Sequence, residues 1–170
     1  MEDKMVIDLV TLTACHTAIS IVALVTGAVA VFDLFESKVR QLWTVLFLVT
    51  AIATSATGFL FPFNGVLPSH ILSLMALAVL AAMLYGLYGA HLSGAWRMIH
   101  AMGTVASLWF LVFVGIAQAF GKIAPLHSLA PTGTEAPFAV SQLVALVLFI
   151  VIGVGAVRSF HPAKSIRALA

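Results

Sequence analysis

Apolar residues in this chain come in long runs separated by short polar breaks. Five runs reach the ~20 residues that a helix needs to cross the hydrocarbon core of a bilayer, at roughly 9–32, 42–61, 70–90, 98–120 and 137–157. The pattern predicts an all-α fold, a polytopic membrane helical bundle with five transmembrane helices. Three breaks, at 33–41, 61–69 and 91–97, allow only tight connections. The fourth, at 121–136, is long enough to carry structure of its own. With no internal repeat and no low-complexity stretch, residues 1–170 read as a single domain.

Inside a bilayer, apolar side chains gain nothing by leaving lipid for each other, so small and hydroxyl residues mark the faces where helices meet. On the first run, Thr13, His16, Ser20, Ala23 and Gly27 recur at three- and four-residue spacing and form one stripe. The second run offers Thr50, Thr54 and Gly58, with Ser55 and Thr57 beside them. The fourth offers His100, Gly103 and Ser107, then Gly115 and Gln118. Gln142 and Gly153 lie on the fifth. These faces predict a compact bundle in which His16 meets protein and not lipid.

Composition agrees with the pattern and removes several function classes. The chain is 62% hydrophobic and 8% charged, with a mean hydropathy of +1.16, far outside the range of soluble domains. Eight Lys and Arg against six acids are too few for a nucleic-acid surface. They serve better as topology signals, because basic residues concentrate on the cytoplasmic side. Five spans put Lys38, Arg40, Arg97, Arg158, Lys164 and Arg167 on one side and only Lys4 and Lys122 on the other. The expected arrangement is therefore N-terminus outside and C-terminus cytoplasmic, with Trp43 and Trp96 at the basic interface. A single cysteine, Cys15, excludes an intrachain disulfide. Leu12-Thr13-Ala14-Cys15 resembles a lipoprotein cleavage box, but Glu2, Asp3 and Asp8 spoil the leader and the apolar run continues past Cys15.

This topology directs His16, Asn64, His70, Gln118, His127, Glu135 and Gln142 towards the outer half of the protein, where residues 57–70 form a turn ending in His70. His16 lies about seven residues into its helix, hence ~10 Å deep at 1.5 Å per residue. An ionisable residue at such depth is costly and points to function. Each candidate has a plainer explanation. His16 can be a neutral ring bonded to a neighbouring helix, and His70 can meet water at a helix start capped by Ser69. His127 can be solvated, and Glu135 can simply favour a helix N-terminus. Phe59, Phe61, Phe63 and Phe138 read as an interfacial belt or as loop packing.

Paired histidines raise a haem reading, since imidazole is a common axial ligand. His16 and His70 are the one pair that remains, as ligands of a single outer haem b, and the greater depth of His16, by about two turns, strains even this pairing unless the third helix is tilted. His91 and His100 lie towards the inner side, and His70 and His91 stand ~31 Å apart on one helix. No span carries a lysine for a Schiff base, no acidic pair lies within the bundle, and no phosphate loop or Ser, His and Asp set is present.

Several motifs carry a resemblance. Thr57-Gly58-Phe59 followed by Phe61-Pro62-Phe63, then Pro68-Ser69-His70, Gly94-Ala95-Trp96-Arg97, and Leu129-Ala130-Pro131-Thr132 with Glu135 and Pro137-Phe138, resemble a family of small, uncharacterised bacterial inner-membrane proteins. The resemblance covers most of the chain from the second helix onwards. It implies a multi-pass protein of the bacterial inner (cytoplasmic) membrane and supplies no catalytic residue. The expected function is a non-enzymatic complex subunit or ligand-binding module with a polar periplasmic-side pocket and no cofactor. Its expected partners are the lipid bilayer and other membrane subunits or further copies of itself, and not nucleic acid. The alternatives are a b-type haem electron-transfer protein and a small-solute transporter or channel, the latter opposed by helix centres that are mostly Leu, Val, Ala and Phe.

Overall fold

A computed structural model describes residues 2–61 and 68–162, with side chains for 9–61 and 70–162. The described residues form helices and turns without a strand: α1 (Glu2–Phe35), α2 (Gln41–Thr57) continued by a 3-10 turn (Gly58–Leu60), α3 (Pro68–Leu84) continued by a π turn (Tyr85–Gly89), α4 (Trp96–Lys122), the short α5 (Ala124–Leu129) and α6 (Ala136–Ser159). Five helices are long and apolar enough to cross a membrane: Leu9–Phe35, Gln41–Leu60, His70–Gly89, Trp96–Lys122 and Ala136–Ser159. This is a multi-pass membrane protein built as a helical bundle, and the five runs of the sequence become its five spans. The fourth break holds α5.

Helix α4 is the centre of the bundle and packs on α1, α3 and α6, while α2 lies between α1 and α3. The small residues of the sequence stripes sit at the closest approaches. A Cβ built on Gly27 would lie 2.6 Å from a Phe47 ring carbon and 2.9 Å from Leu108 Cδ1, so only glycine lets α1 meet α2 and α4 there. At Gly103 the neighbour is Met83 Cβ at 3.2 Å, which sets the α3–α4 seam. Ala23, Ala30, Leu34, Phe47, Ala51, Leu80, Met83, Ala101 and Val105 fill the core between these helices. The far part of the α4 stripe behaves differently, because Gly115 and Gln118 are exposed. Helix α6 is the least enclosed span, with only Ala145 and Ala156 buried along it.

Helix α1 continues three residues beyond the apolar run, and Asp33 becomes part of its last turn. Asp33 is 1% exposed. Arg40 Nε donates to Asp33 Oδ1 at 2.8 Å, and Arg40 Nη2 approaches the same oxygen. Ser37, with φ of 54°, donates its hydroxyl to the Ser159 carbonyl at 2.6 Å and accepts from the His161 N–H at 3.0 Å. Arg97 donates to the Phe160 carbonyl. The wholly buried Phe160 ring lies 5.9 Å from the His100 ring. One end of the bundle is thus fastened by polar bonds that join the first connection, the start of α4 and the end of α6.

Candidate functional site

His16 and Thr57 meet where the N-terminal half of α1 crosses the end of α2. They are 41 positions apart in the chain, and the antiparallel α1–α2 pair brings His16 Nδ1 to 2.8 Å from Thr57 Oγ1. Thr57 Oγ1 also lies 2.7 Å from the Ala53 carbonyl oxygen. A threonine hydroxyl has one hydrogen, and a carbonyl can only accept. Both bonds form together only if Thr57 donates to Ala53 and His16 Nδ1–H donates to Thr57. The neutral ring is therefore the Nδ1–H tautomer, and its lone pair is on Nε2. Ser20 donates to the His16 carbonyl at 2.7 Å and lies 3.5 Å from Thr54 Oγ1. The α1 stripe and the hydroxyls of α2 thus form one polar seam.

Aromatic rings close this end. Phe61 meets the His16 ring edge-on at 5.3 Å between centroids, and Phe59 lies 5.6 Å from the ring of His70, which is buried at the start of α3. Phe138 packs edge-on against Phe120 at 5.5 Å. These contacts divide the aromatic residues among three interfaces, α1–α2, α2–α3 and α4–α6, and Phe63 lies outside the described residues.

The remaining candidates fall in other places. Gln142 Nε2 donates to the Phe113 carbonyl at 3.0 Å across the α4–α6 seam, and its Oε1 is buried with no partner among the described residues. Glu135 is committed to its own turn. Its Oε1 accepts from the Thr132 N–H at 3.0 Å and the Thr132 hydroxyl at 2.8 Å, and its Oε2 accepts from the Thr134 N–H at 3.0 Å. The Thr132 N–H and hydroxyl, with the Thr134 N–H, hold this carboxyl far below its ordinary range, at about 2. Gln118 is exposed on α4 and His127 is exposed on α5. Asn64 lies outside the described residues. No hydrogen bond among the described residues joins the His16 seam to the Gln142 seam.

Sequence reasoning missed Asp33 and Ser37, which it assigned to a loop. Asp33 and Arg40 are seven residues apart across that loop, and this opposite-charge spacing was the one available signal. On the basic side, His100 is buried and its Nδ1 lies 3.3 Å from the Met83 carbonyl, while His91 is exposed with φ of 48°. Among the described residues no group of three or more His, Cys, Asp or Glu could hold a metal ion. No protein-family model, curated protein or solved structure matches the chain.

Proposed function

We propose that this chain is a non-enzymatic protein of the bacterial inner membrane, a small subunit or binding module that recognises its ligand or partner at the His16 seam. The proposed orientation puts the seam on the periplasmic side, following the excess of Lys and Arg at the opposite end. The supporting observation is the hydrogen-bond geometry of His16. Its Nδ1–H is held by Thr57, which leaves Nε2 as a fixed hydrogen-bond acceptor within a spanning helix. The resemblance of its motifs to those of small bacterial inner-membrane proteins supports the same location.

Native mass spectrometry after extraction from bacterial membranes into lipid nanodiscs tests the proposal. Wild-type protein should retain a ligand or partner subunit that His16→Phe loses and that Thr57→Val, which keeps the ring but removes its acceptor, retains more weakly. Identical spectra for all three would remove His16 from any recognition role. A second reading, haem b ligation, is supported by the same lone pair, since axial ligation would use Nε2 of His16 with His70 as its partner. It requires a Soret band from protein expressed with haem supplied, and colourless protein that also fails to bind added haemin would end it.

A further inference from the structure

A groove of 520 Å³ runs along the outside of the bundle between α2 and α3. Ile52, Leu77, Leu80, Ala81, Tyr85 and Tyr88 line most of it, and Gly89 closes one end. From Leu77 to Gly89 it extends ~18 Å at helical rise, more than half of a ~30 Å hydrocarbon core. Ala81, Tyr85, Tyr88 and Gly89 are exposed, so the groove opens sideways, towards the region that acyl chains occupy around a membrane-spanning helix.

Two features distinguish it from ordinary lipid-facing surface. First, α3 leaves α-helical geometry here. The π turn Tyr85–Gly89 widens the helix at the end of the groove, and such turns interrupt regular helices mostly at sites of use. A Cβ on Gly89 would fall 2.8 Å from the Tyr85 ring, so glycine is what lets that ring lie back against Trp96, 4.7 Å away. Second, the groove ends at the basic end of the bundle. Among the described residues that end carries four cations, Lys38, Arg40, Arg97 and Arg158, against two carboxylates, Asp33 and Glu36. The opposite end has Lys4 and Lys122 against Glu2, Asp3, Asp8 and Glu135. Both carboxylates of the basic end are already paired, with Arg40 and Lys38. Arg97 adjoins Trp96 and has no carboxylate partner among the described residues.

We infer that the α2–α3 groove is a binding site for one anionic phospholipid, with an acyl chain along Leu77, Leu80 and Ala81 and the headgroup at the Tyr85 and Tyr88 end, which is the basic end of the bundle. Apolar lining accounts for the chain, phenol hydroxyls suit the interface, and the charge excess selects an anionic headgroup over a zwitterionic one.

Native mass spectrometry of the full chain, released from bilayers with equal phosphatidylglycerol and phosphatidylcholine of matched acyl chains, tests this. One phosphatidylglycerol should stay bound per chain. Ala81→Trp, which fills the groove from its exposed side, should abolish that retention. Arg97→Gln should lower the preference for phosphatidylglycerol about fivefold, the factor equivalent to ~1 kcal/mol per basic residue near an anionic surface. Equal retention of the two lipids, or unchanged retention in Ala81→Trp, would overturn the assignment. A measurement on unaltered protein guards against misfolded variants. Tryptophan emission should be quenched more by brominated phosphatidylglycerol than by brominated phosphatidylcholine, and equal quenching would also overturn it.

Discussion

Three side chains in this protein are constrained more tightly than their neighbours, and each constraint has a consequence that can be measured. The His16 Nδ1–H bond to Thr57 crosses from one spanning helix to the next. Thr57→Val leaves that N–H without its acceptor, and interhelical bonds of this kind contribute ~1 kcal/mol in lipid. A loss of that order is expected in reversible unfolding in mixed micelles, and 15N spectra should show the Nδ1–H tautomer in the wild type alone. At Glu135 the prediction concerns pH. Its carboxyl is lowered to about 2 from an ordinary 4.5, chiefly by the Thr132 N–H. For a lowered carboxyl, the stabilisation is complete above the ordinary value and is lost as the pH falls through the lowered one. The turn should therefore hold between pH 4.5 and about 2, where an unbonded glutamate loses its charge. A carboxyl 13C titration with its midpoint near 4.5 would contradict this. Asp33 differs because it is buried. Arg40→Gln leaves a buried carboxylate without its cation and should lower thermal stability in detergent. Asp33→Asn combined with Arg40→Gln should cost less than Arg40→Gln alone.

The elements owe their packing to residues that add almost no surface. Gly27 brings the α1 backbone against Phe47 and Leu108, and Gly103 does the same for α4 against Met83. Any larger residue at 27 must displace a ring within a filled core, and such overpacking costs about 1–3 kcal/mol. Gly27→Leu should lower thermal stability in detergent by that amount, whereas Gly115→Leu, which meets nothing within 4 Å, should be neutral. Much of this was legible in the sequence, because the stripe from Thr13 to Gly27 and the set His100, Gly103 and Ser107 were read as contact faces, and they are half-buried from Thr13 to Ser20 and buried at the rest. Gly115 and Gln118 belong to the same α4 pattern and yet are exposed. A stripe of small residues gives the angle of a face around its helix, and it does not say how far along the helix a neighbour reaches.

For the whole molecule, the division of charge is the property with most leverage. Reporter fusions after Gln41 and after Ser93 should both read cytoplasmic, and a fusion after Gly133 should read periplasmic. The reverse pattern would move the His16 seam to the cytoplasmic side and its proposed partner with it. Helix α6 gives the bundle an asymmetric outline. It joins mainly α4 and leaves Leu143, Val147, Ile150 and Val154 exposed along its length.

The sequence by itself determined the solvent, the number of spans, their limits to within a few residues and several of the faces that meet, because bilayer thickness and the scarcity of polar groups leave an apolar chain few choices. It could not determine which polar side chains share a bond. Seven candidates pointed to one outer pocket on the strength of their depth. Tertiary structure linked His16 to Thr57 and Gln142 to Phe113, and it committed Glu135 to its own turn. It also paired the buried Asp33 with the exposed Arg40, both of which the sequence had assigned to a loop. Depth follows from position along a helix. Partnership depends on how each helix is rotated and on where its last turn ends, and those are decided by contacts between residues distant in the chain.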